Sequence, residues 1–229
     1  MGARTVKRTV KVWAWIAEAA GEGAPVSIAA LGRAAAARLG VDGASVTAMT
    51  GSEVHEPVFA TDDVSAAMEE LQFTLGEGPC VDAFGFGSPM LIPELGAVGA
   101  RWPGFVAAAV AADVRALFAL PLHSGAIQVG VLALYRARPG HLTPDELADV
   151  LVFADVALQL LLDGAFGLVD AGEYRPTDWM STGRTFVYQA TGMISEQLGV
   201  SVAEAFVRLR AHTFTGTASL AEVAGEVVS

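Results

Sequence analysis

The chain has 229 residues, of which 53% are hydrophobic and 17% are charged, and this indicates one large or two small folded domains. Its net charge of −11 argues against broad, non-specific nucleic-acid binding, because such binding needs a positive field. The single cysteine, Cys80, excludes an internal disulfide and favours a reducing cytoplasm, and no apolar run approaches the roughly 20 residues of a membrane span.

The N-terminal two thirds alternate between helix and strand signals. Periodicity and capping residues predict helices over 4–20, 28–39, from Asp62 or Asp63 to Leu75, over 102–112 and over 144–162. Strands are predicted over 44–50, 57–60, 90–92, 115–122 and 128–135. The segment GEGPCVDAF is predicted to be a loop, whose first four residues form a turn that leads into a helix. The last two strands are predicted to pair as a hairpin, because the residues between them are polar and contain glycine.

Three short amphipathic helices are predicted at the C-terminus, behind a linker rich in glycine and proline. The first begins near Ser181 and ends at Gly199, and the second and third begin at the capping boxes Ser201/Glu204 and Ser219/Glu222. None is long enough to be stable alone, so we expect a bundle. The predicted core-facing residues are Phe186, Ala190, Met193, Ile194 and Gln197–Leu198; Val202, Ala205, Phe206 and Leu209; and Leu220, Val223, Ala224, Val227 and Val228.

From about Arg184 to Val228, this sequence resembles the ANTAR domain, a three-helix module of bacterial antitermination regulators that binds RNA hairpins. The resemblance rests on the step ATG at 190–192, on RLRAH at 208–212 and on the closing SLAEVA. Gly192 costs about 1 kcal/mol against alanine inside a helix, and either close helix packing or close approach of RNA would explain it. The resemblance implies RNA contacts on the first helix and at the end of the second, here Tyr188, Gln189, Thr191, Gly192, Arg208 and Arg210.

Over about residues 20–163, the chain resembles a GAF domain of the kind found in actinobacterial GAF–ANTAR proteins. The segments LQFTLGEGPCVDAF, RWPGF and ALPLHSGAIQVGVLALY carry this resemblance. It implies a sensory domain with a six-stranded antiparallel sheet, a small pocket for an unknown ligand, and terminal helices that often dimerise. Cys80 is either a small buried residue or a thiol whose pKa is lowered by a helix N-terminus. The candidate pocket residues, which core packing would explain equally well, are Phe73, Cys80, Phe84, Trp102 and Phe105.

Catalytic signals are weak. The four histidines are scattered without the spacing of a metal site, and the glycine-rich segments lack the lysine of a phosphate-binding loop. We therefore predict no catalytic residue, metal or cofactor, and a protein that is not an enzyme. The basic cluster Arg4, Lys7, Arg8 and Lys11 is expected to be a solvated helix face, with RNA phosphates or a second subunit as alternative partners.

The sequence thus predicts an α+β fold in three parts, a GAF-like sensor domain over 1–163, a linker over 164–180 and an all-α ANTAR bundle over 181–229. The predicted function is that of a cytoplasmic, homodimeric regulator that holds a hairpin in nascent mRNA and so prevents a terminator from forming. The bundle has three arginines against four glutamates. This balance leaves open a small-molecule or redox sensor whose bundle is a protein-interaction or dimerisation module without RNA binding.

Overall fold

The computed structural model describes residues 3–50, 54–165, 178–213 and 218–229. The chain divides into two compact units. We call the first the sheet domain, which spans the described residues up to Ala165, and the second the C-terminal bundle, which begins at Asp178. Residues 164–165 continue the last helix of the sheet domain, and residues 178–180 begin the first helix of the bundle. The rest of the predicted linker lies outside the described residues.

The helices and strands lie close to the predicted positions. The largest difference is in the segment predicted as a loop, where Gly78 precedes an eight-residue helix with proline at its start. The helices are α1 (Ala3–Ala20), α2 (Ile28–Arg38), α3 (Asp63–Leu75), α4 (Pro79–Phe86), α5 (Pro103–Ala111), α6 (Pro144–Ala165), α7 (Asp178–Leu198), α8 (Val202–Thr213) and α9 (Leu220–Val228). The strands are β1 (Gly43–Thr50), β2 (Val54–Ala60), β3 (Met90–Ile92), β4 (Ala116–Ser124) and β5 (Ile127–Arg136).

The described strands form one five-stranded antiparallel sheet in the order β2-β1-β5-β4-β3, one strand fewer than the resemblance implied. β4 and β5 pair along their whole length, as the hairpin prediction required, and β5 also pairs with β1. β1 and β5 are therefore neighbours in the sheet although they lie far apart in the sequence. This topology places Val46 of β1 and Leu120 of β4 on either side of Leu132 in β5.

Each face of the sheet is covered by its own hydrophobic core. On one face, Val46, Phe118 and Leu132 pack in a core that includes α1, α2 and α6. On the other face, Leu117, Ala119, Val131 and Ala133 pack against α3, α4 and α5. Successive residues of a strand point to opposite faces, so the long apolar runs of β4 and β5 are explained by burial on both sides.

Two basic residues of α1, Arg8 and Lys11, form ion pairs with α6. Arg8 binds both Asp145 and Asp149 of α6, and the Lys11 ammonium lies 2.7 Å from the Asp149 carboxylate. Asp149 is buried, and a buried carboxylate needs such partners because desolvation of an unpaired charge is costly. These two members of the predicted basic cluster therefore anchor α1 to α6, a partner within the chain that was not predicted, although Lys11 stays exposed.

The C-terminal bundle packs α7 against both α8 and α9. Gly199 has the left-handed conformation (φ 61°) that ends α7, and Ser219 and Glu222 form the complete capping box predicted for α9. The core-facing stripe of α7 differs from the prediction. Arg184, Val187, Ala190 and Thr191 are buried, whereas the predicted core residues Phe186 and Leu198 of α7, and Val202 of α8, are exposed.

Candidate functional site

The predicted pocket residues of the sheet domain are all buried. Cys80, Phe84, Trp102 and Phe105 belong to one hydrophobic core between the sheet and α3–α5. Phe73 is also buried, with its ring 5.7 Å from the His55 ring. These side chains thus lie close together, but they pack as part of a hydrophobic core in the region where the resemblance implied a pocket. A ligand that entered there would have to displace them.

A polar network lies within the same layer and centres on Glu69 of α3, which is only 7% exposed. The Ser45 hydroxyl donates to Glu69 Oε1 at 2.8 Å, and the Thr47 hydroxyl donates to Oε2 at 2.6 Å. The backbone N–H of Cys80 donates to Gln72 Oε1 at 2.7 Å. These contacts connect β1, α3 and α4 through buried polar groups, each of which has a partner.

Cys80 lies beside this carboxylate, with its Sγ 3.8 Å from Glu69 Oε1. Burial, and then the negative charge of Glu69, raise the pKa of the Cys80 thiol well above its ordinary value. The thiol is therefore protonated at neutral pH, in contrast to the low-pKa cysteines that act in redox chemistry. Of the two interpretations of Cys80, the geometry supports the small buried residue.

Two segments that carry the GAF resemblance, GEGPCVDAF and RWPGF, are joined by hydrogen bonds. Glu77 Oε1 accepts from the backbone N–H groups of Gly104 and Phe105, at 2.8 and 2.9 Å, and so caps the start of α5. Asp82 accepts from the Arg101 guanidinium at 2.6 Å and from the Trp102 indole N–H at 3.2 Å. These contacts fix α4 against α5.

In the C-terminal bundle, part of the predicted RNA-contact set lies on the surface. Gln189, Gly192 and Arg208 are exposed, and Tyr188 is half-buried. A Cβ atom added at Gly192 would meet no atom within 4 Å, whereas one added at Gly183 would lie 3.1 Å from the Ala221 Cβ. Close helix packing therefore accounts for Gly183 and not for Gly192. The backbone at Gly192 is exposed and therefore accessible to a binding partner.

The other two members of that set face inward. Thr191 is 3% exposed, and its hydroxyl donates to the Val187 carbonyl at 2.7 Å. The Arg210 guanidinium lies 3.9 Å from the centre of the Phe206 ring. Burial lowers the pKa of Arg210 to about 10, despite the opposing effect of Tyr188. Both residues were predicted to contact RNA, and the structure instead turns their side chains toward the interior of the bundle.

The exposed surface of the bundle is acidic. Arg184 is 3% exposed and Arg210 is largely buried, so Arg208 is the one exposed arginine among the described residues of the bundle. Its Nε donates to Glu204 at 2.8 Å in a helix i,i+4 pair, which is worth only a few tenths of a kcal/mol. All four glutamates are exposed. Charge attraction to phosphates is therefore weak on this surface.

Sequence reasoning missed two features. The Glu69 network has a signal in the sequence, because Ser45 and Thr47 are polar residues at alternate positions of an otherwise apolar strand. The second feature is a cleft between the three helices of the bundle, next to Leu198. Its five apolar residues had been predicted to face the core, so no sequence signal indicated an opening there.

Within the described residues, no group of three or more potential metal ligands comes together. No helix in that part of the chain is both long and apolar enough to cross a membrane.

Comparisons with known proteins assign both units. A family model described as "GAF domain" matches residues 27–161, and one described as "ANTAR domain" matches residues 181–228. No curated protein matches the chain. The fold is similar to the GAF domain of an Acinetobacter phosphoenolpyruvate-protein phosphotransferase, with a TM-score of 0.51, 10% identity and coverage of 74% of this chain and 100% of that one. The corresponding Coxiella burnetii domain gives a TM-score of 0.53 at 12% identity, over 72% and 97% of the two chains.

Proposed function

Because the chain belongs to the GAF domain family and ends in an ANTAR domain, we propose that it is a sensor-controlled regulator that binds RNA hairpins and promotes transcription antitermination. The bundle would hold a hairpin in nascent mRNA, and the competing terminator would then not form. The observation that carries the proposal is the open backbone at Gly192 beside Tyr188 and Gln189, within the matched ANTAR segment.

We assign different roles to the members of the predicted RNA-contact set. Tyr188 has an aromatic face that can stack on an unpaired loop base, and Gln189 has the donors and acceptors needed at a base edge. Arg208 would contact a phosphate. Thr191 and Arg210 would act indirectly. The contact of Thr191 with Val187 stabilises α7, and the contact of Arg210 with Phe206 stabilises α8.

The GAF domain would sense the signal of this regulator, and we propose that the signal is a small molecule. The packed aromatic layer and the Glu69 network occupy the place of the expected pocket. Binding of a ligand there would therefore require α3 or α4 to move, and such a movement supplies a means of signalling. We further propose that the protein is a cytoplasmic homodimer, joined through the exposed apolar residues of α1 and α6, which include Val6, Val10 and Leu151.

A second function is favoured by the charge of the bundle. With all four glutamates exposed and Arg208 as the exposed arginine of the described part, the surface suits a protein partner better than a phosphate backbone. In that case the bundle is an interaction or dimerisation module, and the GAF domain is a sensor whose output does not involve RNA.

A salt series with the full-length chain and a panel of RNA hairpins separates these functions. Arg208→Ala should weaken binding to all hairpins alike and flatten the salt dependence by about one counterion. Arg138→Ala, which removes an exposed arginine of the sheet domain, is the matched control and should leave the slope unchanged.

Tyr188 is tested separately in the same series. Tyr188→Ala should cost about 1–3 kcal/mol of binding with little change in slope, and Tyr188→Phe should retain the stacking. If no hairpin binds at low salt while the bundle is folded, RNA binding is excluded and the protein-interaction function takes its place.

A further inference from the structure

The bundle has an open cleft that is lined by residues of all three helices. Its walls are the apolar side chains of Ile194 and Leu198 from α7, Leu209 from α8, and Val223 and Val227 from α9. The cleft has a volume of about 380 Å³, within the range of about 300–1,000 Å³ that is typical of small-ligand sites. Leu198 is 54% exposed, so this apolar surface is accessible from solvent.

Three polar side chains stand around this apolar surface. Arg208 and His212 come from α8, and Glu226 comes from α9. An apolar cleft with a few polar groups matches an object that has flat apolar faces and a polar edge. A nucleobase is such an object, and RNA-binding proteins commonly take unstacked loop bases and bind their edges.

We propose that this cleft binds one unstacked base from the loop of the RNA hairpin. The inference rests on the proposed RNA-binding function and names the part of the RNA that this site takes. Arg208 belongs both to the cleft and to the predicted RNA-contact set, so the cleft adjoins the proposed RNA surface at this residue. Adjacent nucleotides of the loop would reach Arg208 and the cleft together.

Charge favours a base over a phosphate in this position. The Glu226 carboxylate is exposed at the cleft and would repel a phosphate, but it can accept a hydrogen bond from an exocyclic amino group. Adenine and cytosine carry such a group, and uracil has a carbonyl oxygen there instead. The cleft should therefore prefer a loop with adenine or cytosine over one with uracil.

The experiment measures binding of the full-length chain to hairpins with one stem and a loop of only adenine, only cytosine or only uracil. Wild-type protein should bind the adenine and cytosine loops about tenfold more tightly than the uracil loop. Glu226→Gln should lose this preference, because an amide side chain can also donate to the uracil carbonyl. Equal affinity of wild-type protein for all three loops would overturn the selective role of Glu226.

A matched pair of variants tests the cleft itself. Leu198→Gln changes the cleft, and Val202→Gln changes a residue that is 51% exposed and does not line it. Both should leave the helical circular dichroism intact, because each side chain is about half exposed. Leu198→Gln should weaken binding to the adenine loop about tenfold, whereas Val202→Gln should match wild type.

The outcomes distinguish the cleft from the function on which it rests. If hairpins bind and Leu198→Gln behaves like Val202→Gln, the cleft proposal fails and RNA binding survives. If Leu198→Gln changes the mass measured by light scattering and leaves RNA affinity unchanged, the cleft is a contact between copies of the chain. If wild-type protein binds no hairpin at low salt, both proposals fail.

Discussion

The substitution Thr47→Val tests whether the polar network inside the sheet domain is a stabilising part of its core. Thr47 and Glu69 are both buried, and the Thr47 hydroxyl donates to Glu69 Oε2 at 2.6 Å. Valine has almost the same shape as threonine, so packing is kept while this donor is lost. Ser45 still donates to the other carboxylate oxygen.

We expect a loss of about 2 kcal/mol in the free energy of unfolding of the sheet domain. Hydrogen bonds to a charged group contribute about 1.5–3 kcal/mol, and a buried acceptor left without its donor keeps its desolvation cost. Because domain stability is typically about 5–15 kcal/mol, this is a large fraction of the total. For a domain of this size it corresponds to a fall of about 4–8 °C in Tm.

Urea unfolding followed by tryptophan fluorescence measures this loss, since Trp13, Trp15 and Trp102 lie in the sheet domain. Thr47→Ser keeps a hydroxyl and is the matched control. Repeating Thr47→Val in a Glu69→Leu background removes the acceptor first, and the substitution should then cost little. The reasoning is refuted if Thr47→Val costs under about 0.5 kcal/mol, or if its cost is the same in both backgrounds.

Four further predictions concern single residues and the oligomeric state. Burial acts to raise the pKa of Asp62, but hydrogen bonds from Thr61, Tyr135 and Ser65 lower it below its ordinary value. The stability that this carboxylate contributes is therefore fully present above about pH 4 and is lost as the pH falls through the folded-state pKa. An acid titration of Asp62→Asn should lack this pH-dependent loss of stability. Cys80→Ala should cost about 1 kcal/mol and leave signalling intact, and in the native protein the buried Cys80 thiol should react with a thiol reagent only on unfolding. Light scattering at micromolar concentration should give twice the 23.6 kDa of one chain, and Leu151→Glu should return a monomer; a monomeric wild type would contradict the dimer. Arg210→Ala should destabilise the bundle by about 1–2 kcal/mol through loss of its contact with Phe206, whereas Arg208→Ala should leave melting unchanged.

Helix ends were predictable because they depend on local chemistry. The Ser27 hydroxyl accepts the N–H of Ala30 at the start of α2, and Gly76 adopts φ 68° at the end of α3. Each device involves residues within a few positions of one another, so the sequence alone carries the information. The resemblances to a GAF domain and to an ANTAR domain are confirmed for the same reason, since they rest on contiguous segments.

The buried face of α7 was harder to predict, because it is set by tertiary packing. Phe186 and Leu198 are the more hydrophobic residues, yet the buried face includes Arg184 and Thr191. Phe186 lies about 100° around α7 from the buried Val187, whereas Leu198 lies near the buried side but is the last residue of the helix. The sequence pattern gives no account of a buried arginine, since burial of its charge requires partners that only the folded bundle provides.

The burial of two arginines changes how the bundle would recognise RNA under the proposed function. With Arg184 and Arg210 turned inward, the described part of the bundle offers Arg208 as its exposed arginine, beside four exposed glutamates. A protein that bound RNA mainly through phosphates would lose affinity steeply as salt rises, by nearly one power of the salt concentration for each phosphate contact. A protein that bound through Tyr188 and the cleft would show a slope near one counterion and a strong dependence on loop sequence. Under the proposed RNA-binding function, the slope measured for the wild-type chain therefore distinguishes these two kinds of recognition. A steep slope would mean that cations other than Arg208 contact the RNA, and recognition mainly through bases would then be wrong.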